Sequence, residues 1–195
     1  MSTGRVDGRT LRHQHRRPEL LAAATEYVLD NGIADLSLRP VASALGVTHA
    51  TLLRHFSSKD ELLLQVVAKI HADFMIRVDS DAQLRTARST YEFGQRLWRW
   101  LGEPKEQRQF VLLFEIVGRA ARGPQREENQ SIINDWLAPV EKRLARDGWS
   151  PSEATARATL LLANVRGLQL DLLMTGDRAR VDRAFDLALE LATQR

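Results

Sequence analysis

The stretch LSLRPVASALGVTHATLLRHFSSKDELL, at residues 36–63, predicts two short helices joined by a tight turn. In the first helix, apolar residues recur at the i, i+3, i+4 and i+7 spacing of one helix face, namely Leu38, Val41, Ala42 and Leu45. Gly46 then supplies the residue type that most easily adopts the left-handed backbone of a turn. The second helix turns Leu52 and Phe56 inward. Its other face is polar and partly made of small residues, as is the face that a helix-turn-helix places against the DNA major groove.

Residues able to cap helices precede both helices and a third one. Ser37 stands before the first helix and Thr48 before the second, where a hydroxyl can accept a backbone N–H of the first turn. Ser58 and Glu61 form the S-x-x-E pattern of a capping box. A third helix is therefore predicted to begin near Lys59.

This region closely resembles the TetR/AcrR family of transcriptional regulators. The matching segments are N-G-x-x-x-L-S-L-R-x-V-A at 31–42, A-L-G-V-T at 44–48 and T-L-L-R-H-F-x-S-K-D-E-L-L at 51–63. The resemblance implies an all-α fold, in which an N-terminal three-helix DNA-binding domain precedes a C-terminal helical domain that binds a ligand and dimerises. The chain departs from the family pattern at Leu53, where the usual tyrosine donates to a DNA phosphate, and at Ala50, where glycine is frequent.

A homodimer with two-fold symmetry would place two such helices about one DNA turn apart, or a multiple of it. The expected partner is therefore double-stranded DNA with an inverted repeat. The positions considered for DNA contact are Ser37, Arg39, Thr48, His49, Ala50, Thr51, Leu53, Arg54, His55 and Lys59. Of these, Thr48, His49 and Thr51 are predicted to reach base edges. Phosphate contacts that set the register are predicted for Ser37, Arg39, His55 and Lys59. The alternative is a solvated surface residue in each case, or for His55 a histidine at the edge of the core.

Composition and charge narrow the class of protein. The 195 residues are 44% hydrophobic, which is enough to bury a core, and they include no cysteine. Residues 1–17 contain five arginines and a single aspartate, which predicts a flexible basic arm attracted to DNA phosphate, with a solubilising tail as the alternative. Because the sequence contains neither a signal-like apolar segment nor about 20 consecutive apolar residues, a cytoplasmic protein is expected.

The predicted domains are the arm at 1–17, the helix-turn-helix domain at 18–58 and the helical ligand-binding and dimerisation domain at 59–195. Outside the motif, the pattern of apolar residues, caps and breaks predicts further helices at 19–30, 83–101, 105–122, 125–146 and 151–175, with a last one from 178. Pro139 is predicted to kink its helix. Gly123–Pro124 is predicted to be a firm break.

The helix predicted at 151–175 is apolar nearly all the way round in its middle. Such a helix needs cover on two sides, one from its own domain and one from something else. In the family, the last two helices meet their symmetry mates in a four-helix dimer interface, and these two segments suit that role. The interface residues implied are Ala156, Leu160, Ala163, Gly167, Leu170, Val181, Ala184, Phe185 and Ala188.

Members of the family usually enclose a small-molecule pocket in the C-terminal domain, and the composition here favours an apolar or amphipathic ligand. The candidate pocket residues are Phe74, Trp98, Phe110, Phe114, Glu115, Trp136 and Arg166. Aromatic residues at helical spacing are also typical of an ordinary core. Glu115 suits a cationic ligand or an i, i+4 pair with Arg119, whereas Arg166 suits an anionic ligand or a subunit partner.

The sequence after His71 contains neither histidine nor cysteine, and its carboxylates are scattered without the paired geometry that acid/base catalysis requires. No catalytic residue, metal site or cofactor is therefore predicted. The hypothesis is a DNA-binding transcriptional repressor that a small-molecule effector releases from a palindromic operator. The alternatives are a ligand-independent DNA-binding regulator and a small-molecule carrier or enzyme that retains a helical head.

Overall fold

The computed structural model describes residues 8–120 and 126–194, and side-chain surroundings within residues 16–119 and 136–194. These residues form helices and no strand, as the all-α prediction requires. In chain order the helices are α1 (Gly8–Asn31), α2 (Leu38–Ala44), α3 (His49–His55), α4 (Lys59–Ser80), α5 (Ala82–Arg85), α6 (Thr90–Leu101), α7 (Pro104–Ala120), α8 (Arg126–Arg146), α9 (Pro151–Thr175) and α10 (Arg178–Thr193).

The chain divides into two compact units, one up to Ile76 and one from Arg77. The predicted boundary lay at residue 58, whereas most of the long helix α4 belongs to the first unit. Leu62 and Val66 of α4 are fully buried. The helix that begins at a predicted cap thus contributes to the core of the first unit.

Helix α1 begins at Gly8, well before the predicted start at Glu19. The segment expected to be a flexible arm is therefore helical from Gly8 onward, and residues 1–7 lie outside the described residues. Arginine and leucine are good helix formers, which accounts for continuation of the helix into this basic segment. Pro18 lies within the helix.

The helix-turn-helix forms as the pattern predicts. Leu52 and Phe56 are fully buried, and Gly46 has a φ of +64° in the turn between the helices. The Thr48 hydroxyl caps α3 by accepting the backbone N–H of Thr51 at 3.1 Å. Ser37 occupies the N-cap position of α2, but its side chain makes no capping bond, which corrects the prediction for that residue.

The single helix predicted at 83–101 is two helices. Asp81 caps α5 by accepting the N–H of Leu84 at 2.8 Å, and Ser89 caps α6 by accepting the N–H of Glu92 at 3.2 Å. A capping hydroxyl in the middle of an otherwise apolar pattern starts a new helix there. The prediction of a continuous helix is therefore wrong.

Helices α6, α9 and α10 position the core of the second unit. Trp98 of α6 stacks on Phe185 of α10, with ring centroids 4.2 Å apart and planes 5° from parallel. At Gly94 of α6 a Cβ would lie 2.6 Å from the Leu189 side chain, so glycine permits close contact with α10. The pairing of residue 94 with 189 and of 98 with 185 shows that α6 and α10 run antiparallel.

Helix α9 begins and ends as predicted. Ser150 and Glu153 form a reciprocal capping box at its start, and Gly176 closes it with a φ of +67°. Pro139 lies inside α8, as predicted, and the predicted break at Gly123–Pro124 lies outside the described residues. No helix in the described ranges is long and apolar enough to span a bilayer.

Candidate nucleic-acid interface and ligand site

Helix α3 has one buried face and one face open to solvent. Ala50 and Arg54 are exposed, and Leu53 is 37% exposed, whereas Leu52 is fully buried. His49 is half-buried at the start of the helix. Helical spacing fixes this division, because residues three or four apart share a face. The outward face of α3 therefore includes Ala50, Leu53 and Arg54.

Two hydroxyls at the start of α3 are linked. Besides accepting the N–H of Thr51, the Thr48 hydroxyl lies 2.9 Å from the Thr51 hydroxyl. Each hydroxyl has one donor and two acceptor positions, so both retain capacity for a further hydrogen bond. Capping thus fixes Thr51 at the N-terminal end of α3, which is the end that contacts base edges in helix-turn-helix proteins.

His55 is only 8% exposed, which corrects its assignment as a phosphate contact. It follows Leu52 by three residues and therefore shares the inward face of α3. Its ring lies 6.4 Å from that of Phe56. The structure accordingly favours the alternative, a histidine at the edge of the core.

The remaining phosphate candidates lie at helix starts. Ser37 and Arg39 are exposed at the start of α2, and Lys59 is half-buried at the first residue of α4. Because the Ser37 hydroxyl makes no capping bond, it is not held to the backbone of its own helix. Backbone N–H groups at a helix start also favour a phosphate. Phosphate contact by these three residues stays a prediction.

The sequence analysis missed a polar network at the junction of α3 and α4. Arg17 donates from Nε to the backbone carbonyl of His55 at 3.2 Å, and its Nη2 lies 3.4 Å from a carboxylate oxygen of Glu61. Glu61 also accepts the backbone N–H of Ser57 at 2.9 Å, one residue before the predicted Ser58. The Ser57 hydroxyl and N–H, together with Arg17, hold the pKa of Glu61 below its ordinary value. The local pattern contains no signal for Arg17, which lies far away in sequence.

In the second unit, Trp98 is a core residue. It is 4% exposed, stacks on Phe185 and donates its indole N–H to Asp182 at 2.7 Å. An aromatic ring held on its face and at its polar atom is fixed by packing, which favours the core alternative over a pocket wall. In the first unit, Phe74 is likewise buried, at 7% exposure.

The other candidate pocket residues differ in exposure. Phe110 and Phe114 are half-buried on α7, with ring centroids 6.2 Å apart. Glu115 is exposed on the same helix, which favours its surface alternative. Trp136 and Arg166 are both half-buried, and burial lowers the pKa of the Arg166 guanidinium.

Two polar residues of this region are buried, and of these the sequence analysis missed Glu106. Glu106 is 1% exposed and pairs with Arg77, and Gln107 contacts Gln169, which is fully buried. A signal was present for Glu106, because it precedes Phe110 by four residues and so stands on the same face of α7 as apolar residues. A carboxylate in an apolar stripe indicates a buried partner.

The residues predicted to form the dimer interface differ in exposure between α9 and α10. On α9, Ala156, Ala163 and Gly167 are exposed, and Leu160 and Leu170 are 48% and 46% exposed. They recur at alternating spacings of four and three residues, which makes one stripe.

On α10, the stripe chosen from the sequence faces the core of its own unit. Val181, Phe185 and Ala188 are buried, and Ala184 is half-buried, which corrects their assignment to the interface. The large exposed apolar residues of α10 are Leu187 and Leu191, at 58% and 65%. An amphipathic helix turns its most continuous apolar stripe to its own core, which accounts for the burial of the predicted stripe.

Comparison with known proteins identifies proteins similar to the first unit and proteins similar to nearly the whole chain. The sequence model of bacterial regulatory proteins of the tetR family matches residues 20–66. The transcriptional regulator CymR of Pseudomonas putida is 27% identical over 91% of this chain and 89% of its own length. The transcriptional activator FasR of Mycolicibacterium smegmatis is 34% identical over 48% of this chain and 41% of its own length.

Solved structures resemble the fold over nearly its full length. A transcriptional regulator from Rhodococcus sp. Rha1 has a TM-score of 0.71 and 24% identity, covering 91% of this chain and 96% of that chain. The multidrug binding protein EbrR, solved with imidazole, has a TM-score of 0.71 and 26% identity, covering 94% of this chain and 93% of its own.

Proposed function

The chain belongs to the TetR family of bacterial regulatory proteins, and from this we infer that it acts as a homodimeric repressor that a small molecule releases from an inverted-repeat operator. It is a DNA-binding transcriptional regulator and not an enzyme. The observation that carries the proposal is the solvent-exposed face of α3. The opposite side of the helix is anchored by the buried side chains of Leu52 and of Phe56, which directly follows α3.

Base reading is assigned to the start of α3. Thr51 and His49 offer hydrogen-bonding groups to base edges, and Arg54 extends from the same helix. Ser37, Arg39 and Lys59 contact phosphates on either side and fix the register. Leu53 offers no hydroxyl at the position where the family usually has tyrosine, so these neighbours supply the backbone contacts.

Dimer formation is assigned to the exposed stripe of α9 together with Leu187 and Leu191 of α10. Exposed apolar side chains in one contiguous stripe are typical of a protein interface. A two-fold axis through that stripe gives two copies of α3 related by the same symmetry, which is the reason for expecting an inverted repeat. The site of action is then the bacterial cytoplasm, where the chromosome lies.

Effector binding is assigned to the second unit. EbrR, of similar fold, is described as a multidrug binding protein. Phe110 and Phe114 supply half-buried aromatic surface for an apolar or amphipathic ligand. To change operator occupancy from nearly full to nearly empty, the ligand must prefer the released form by about 5 kcal/mol. Helix α4 is the continuous segment through which such a preference reaches the DNA-binding unit.

The test is capture of fragmented genomic DNA from the organism that encodes the chain, at low and at moderate salt, followed by sequencing. We expect enrichment of a short palindrome, and loss of that enrichment in Thr51→Ala but not in Thr86→Ala, an exposed threonine of the second unit. Binding that is blind to sequence and lost with salt would contradict the proposal. Because the relative FasR is an activator, repression has to be distinguished from activation. A reporter gene placed downstream of the captured site makes that distinction.

A further inference from the structure

Helices α7 and α9 meet through a pair of glutamines. The side-chain amide nitrogen of Gln107 donates to the backbone carbonyl of Leu101 at 3.0 Å and to Oε1 of Gln169. Gln169 is 0% exposed, and its Nε2 has no hydrogen-bond acceptor within the described residues. Leaving a buried amide donor without an acceptor destabilises a fold. The Nε2 group of Gln169 is therefore available to donate a hydrogen bond to a bound molecule.

Arg166 lies one helical turn before Gln169 on the same side of α9. It is half-buried, and in the part of the chain that the structure describes it makes no ion pair or hydrogen bond. Burial lowers its pKa, and no carboxylate among the described residues counteracts that effect. A partly desolvated guanidinium without a counter-charge favours an anion from outside the protein.

Aromatic surface lies on α7, close to the contact between the two glutamines. Phe110 follows Gln107 by three residues and is half-buried on the same side of α7. Phe110 and Arg166 are thus each one helical turn from the Gln107–Gln169 contact, one on α7 and the other on α9. The ring of Phe114 is 6.2 Å from that of Phe110.

The buried carboxylate of this region already has its counter-charge. Glu106 pairs with Arg77, whose guanidinium also lies 5.2 Å from the centre of the Trp100 ring. One oxygen of Glu106, Oε2, accepts no hydrogen bond within the described residues. Glu106 therefore has capacity for a neutral donor, whereas the uncompensated charge is the positive one of Arg166.

We propose that Arg166 and Gln169 bind the carboxylate of an aromatic acid whose ring packs against Phe110. A guanidinium matches the two oxygens of a carboxylate, and the amide of Gln169 adds a third donor. The assignment rests on the proposed function, since it names the ligand class of the effector site in the second unit.

The experiment is calorimetric titration of the full chain, without DNA, with three probes that share one ring system. These are 2-naphthoate, its neutral amide and the cationic 2-naphthylmethylammonium. We expect 2-naphthoate to bind at least 10-fold more tightly than the amide, and the ammonium compound to bind most weakly. Absence of naphthoate binding, equal affinities, or tighter binding of the ammonium probe would overturn the proposal; the last result would point to Glu106.

Arg166→Gln should abolish the preference for the acid, and Arg166→Lys, which keeps the charge, should retain part of it. Arg99→Gln is the matched control, because Arg99 is an exposed arginine of the same unit, and it should leave all affinities unchanged. Circular dichroism melting verifies that each variant is folded. If Arg166→Gln dissociates the dimer in sedimentation analysis and leaves naphthoate affinity intact, Arg166 is a subunit contact and the proposal fails.

Failure of this assignment is distinguishable from failure of the proposed function. Naphthoate binding that depends on Arg166 supports the site even when no palindrome is captured. Capture of a palindrome together with no naphthoate binding preserves the regulator and removes the aromatic acid as its ligand class.

Discussion

Lys59 illustrates how a residue can determine affinity without determining sequence preference. It is the first residue of α4, where its ammonium group and the helix start both favour a phosphate. We predict that Lys59→Ala weakens binding to every duplex by a similar factor and reduces the slope of log affinity against log salt by about one. Lys142→Ala, at an exposed position of α8, should change neither quantity in fluorescence anisotropy titrations. A loss confined to one base position would contradict the phosphate assignment.

Glu61 gives the DNA-binding unit a pH dependence of defined sign. Its pKa is lowered, first by the Ser57 hydroxyl and N–H and then by Arg17. A lowered folded-state pKa stabilises the protein above the ordinary value of 4.5, and that stabilisation is lost as pH falls through the folded-state pKa. We predict that the stability difference between the native chain and Glu61→Gln, measured by urea denaturation, decreases from pH 6 to pH 3. A constant difference would show that the Glu61 charge has no part in the network.

In the DNA-binding unit, the contacts of an individual side chain were predictable only where its partner is close in sequence. The Thr48 cap depends on a residue three positions away, and the sequence contains both. Arg17 and His55 meet across the fold, so no pattern along the chain reports their contact. His55 has a side chain that suits phosphate equally well, and only its burial decides against that role.

At the scale of elements, the turn between α2 and α3 requires glycine because of its backbone conformation and not because a Cβ would lack room. Gly46 has a φ of +64°, and a Cβ added there would meet no atom within 4 Å. Because the left-handed conformation costs other residues about 1–2 kcal/mol, we predict that Gly46→Ala destabilises the chain by about 1 kcal/mol in urea denaturation. Gly118→Ala is the matched control: it has equal space, it lies inside α7, and it should stabilise by about 0.5–1 kcal/mol. Equal effects of the two changes would contradict this account of the turn.

The exposed stripe of α9 is tested by adding charge to it. Leu160 is the second residue of the stripe and is 48% exposed, so a carboxylate at this position would become buried only on dimerisation. We predict that Leu160→Glu shifts the chain from dimer to monomer in sedimentation equilibrium, because burying an unpaired charge is costly. Leu64→Glu, at 50% exposure on α4, should remain dimeric. A dimeric Leu160→Glu would remove this stripe from the interface.

Helix boundaries were predictable where caps and apolar periodicity agree. They agree at α9, whose capping box and closing glycine are both found in the structure. They disagree near residue 89, where an apolar pattern continues through a capping serine and the cap decides the structure. The stripe of α10 shows a different limit, since periodicity identifies an apolar face without saying whether the same chain or a partner covers it.

At the scale of the molecule, the two units differ in how much the sequence reveals. In the first unit, the structure confirms the turn at Gly46, the Thr48 cap and the buried residues Leu52 and Phe56 that the sequence pattern predicts. The second unit is proposed to bind one particular effector, and polar groups suited to one ligand follow no general sequence pattern. Arg166 was recognisable as a candidate, whereas the contact of Gln107 with Gln169 depends on the packing of two distant helices.

The central claim, that a symmetric dimer reads two half-sites through α3, is tested most directly by changing the spacing of the captured palindrome. A half turn of DNA, about five base pairs, inserted between the half-sites rotates one of them to the opposite side of the duplex. At constant salt, we predict at least a 1000-fold preference, in order of magnitude, for the native palindrome over a shuffled duplex, and loss of nearly all of it on insertion. Equal affinity for the native and the respaced duplex would contradict the account.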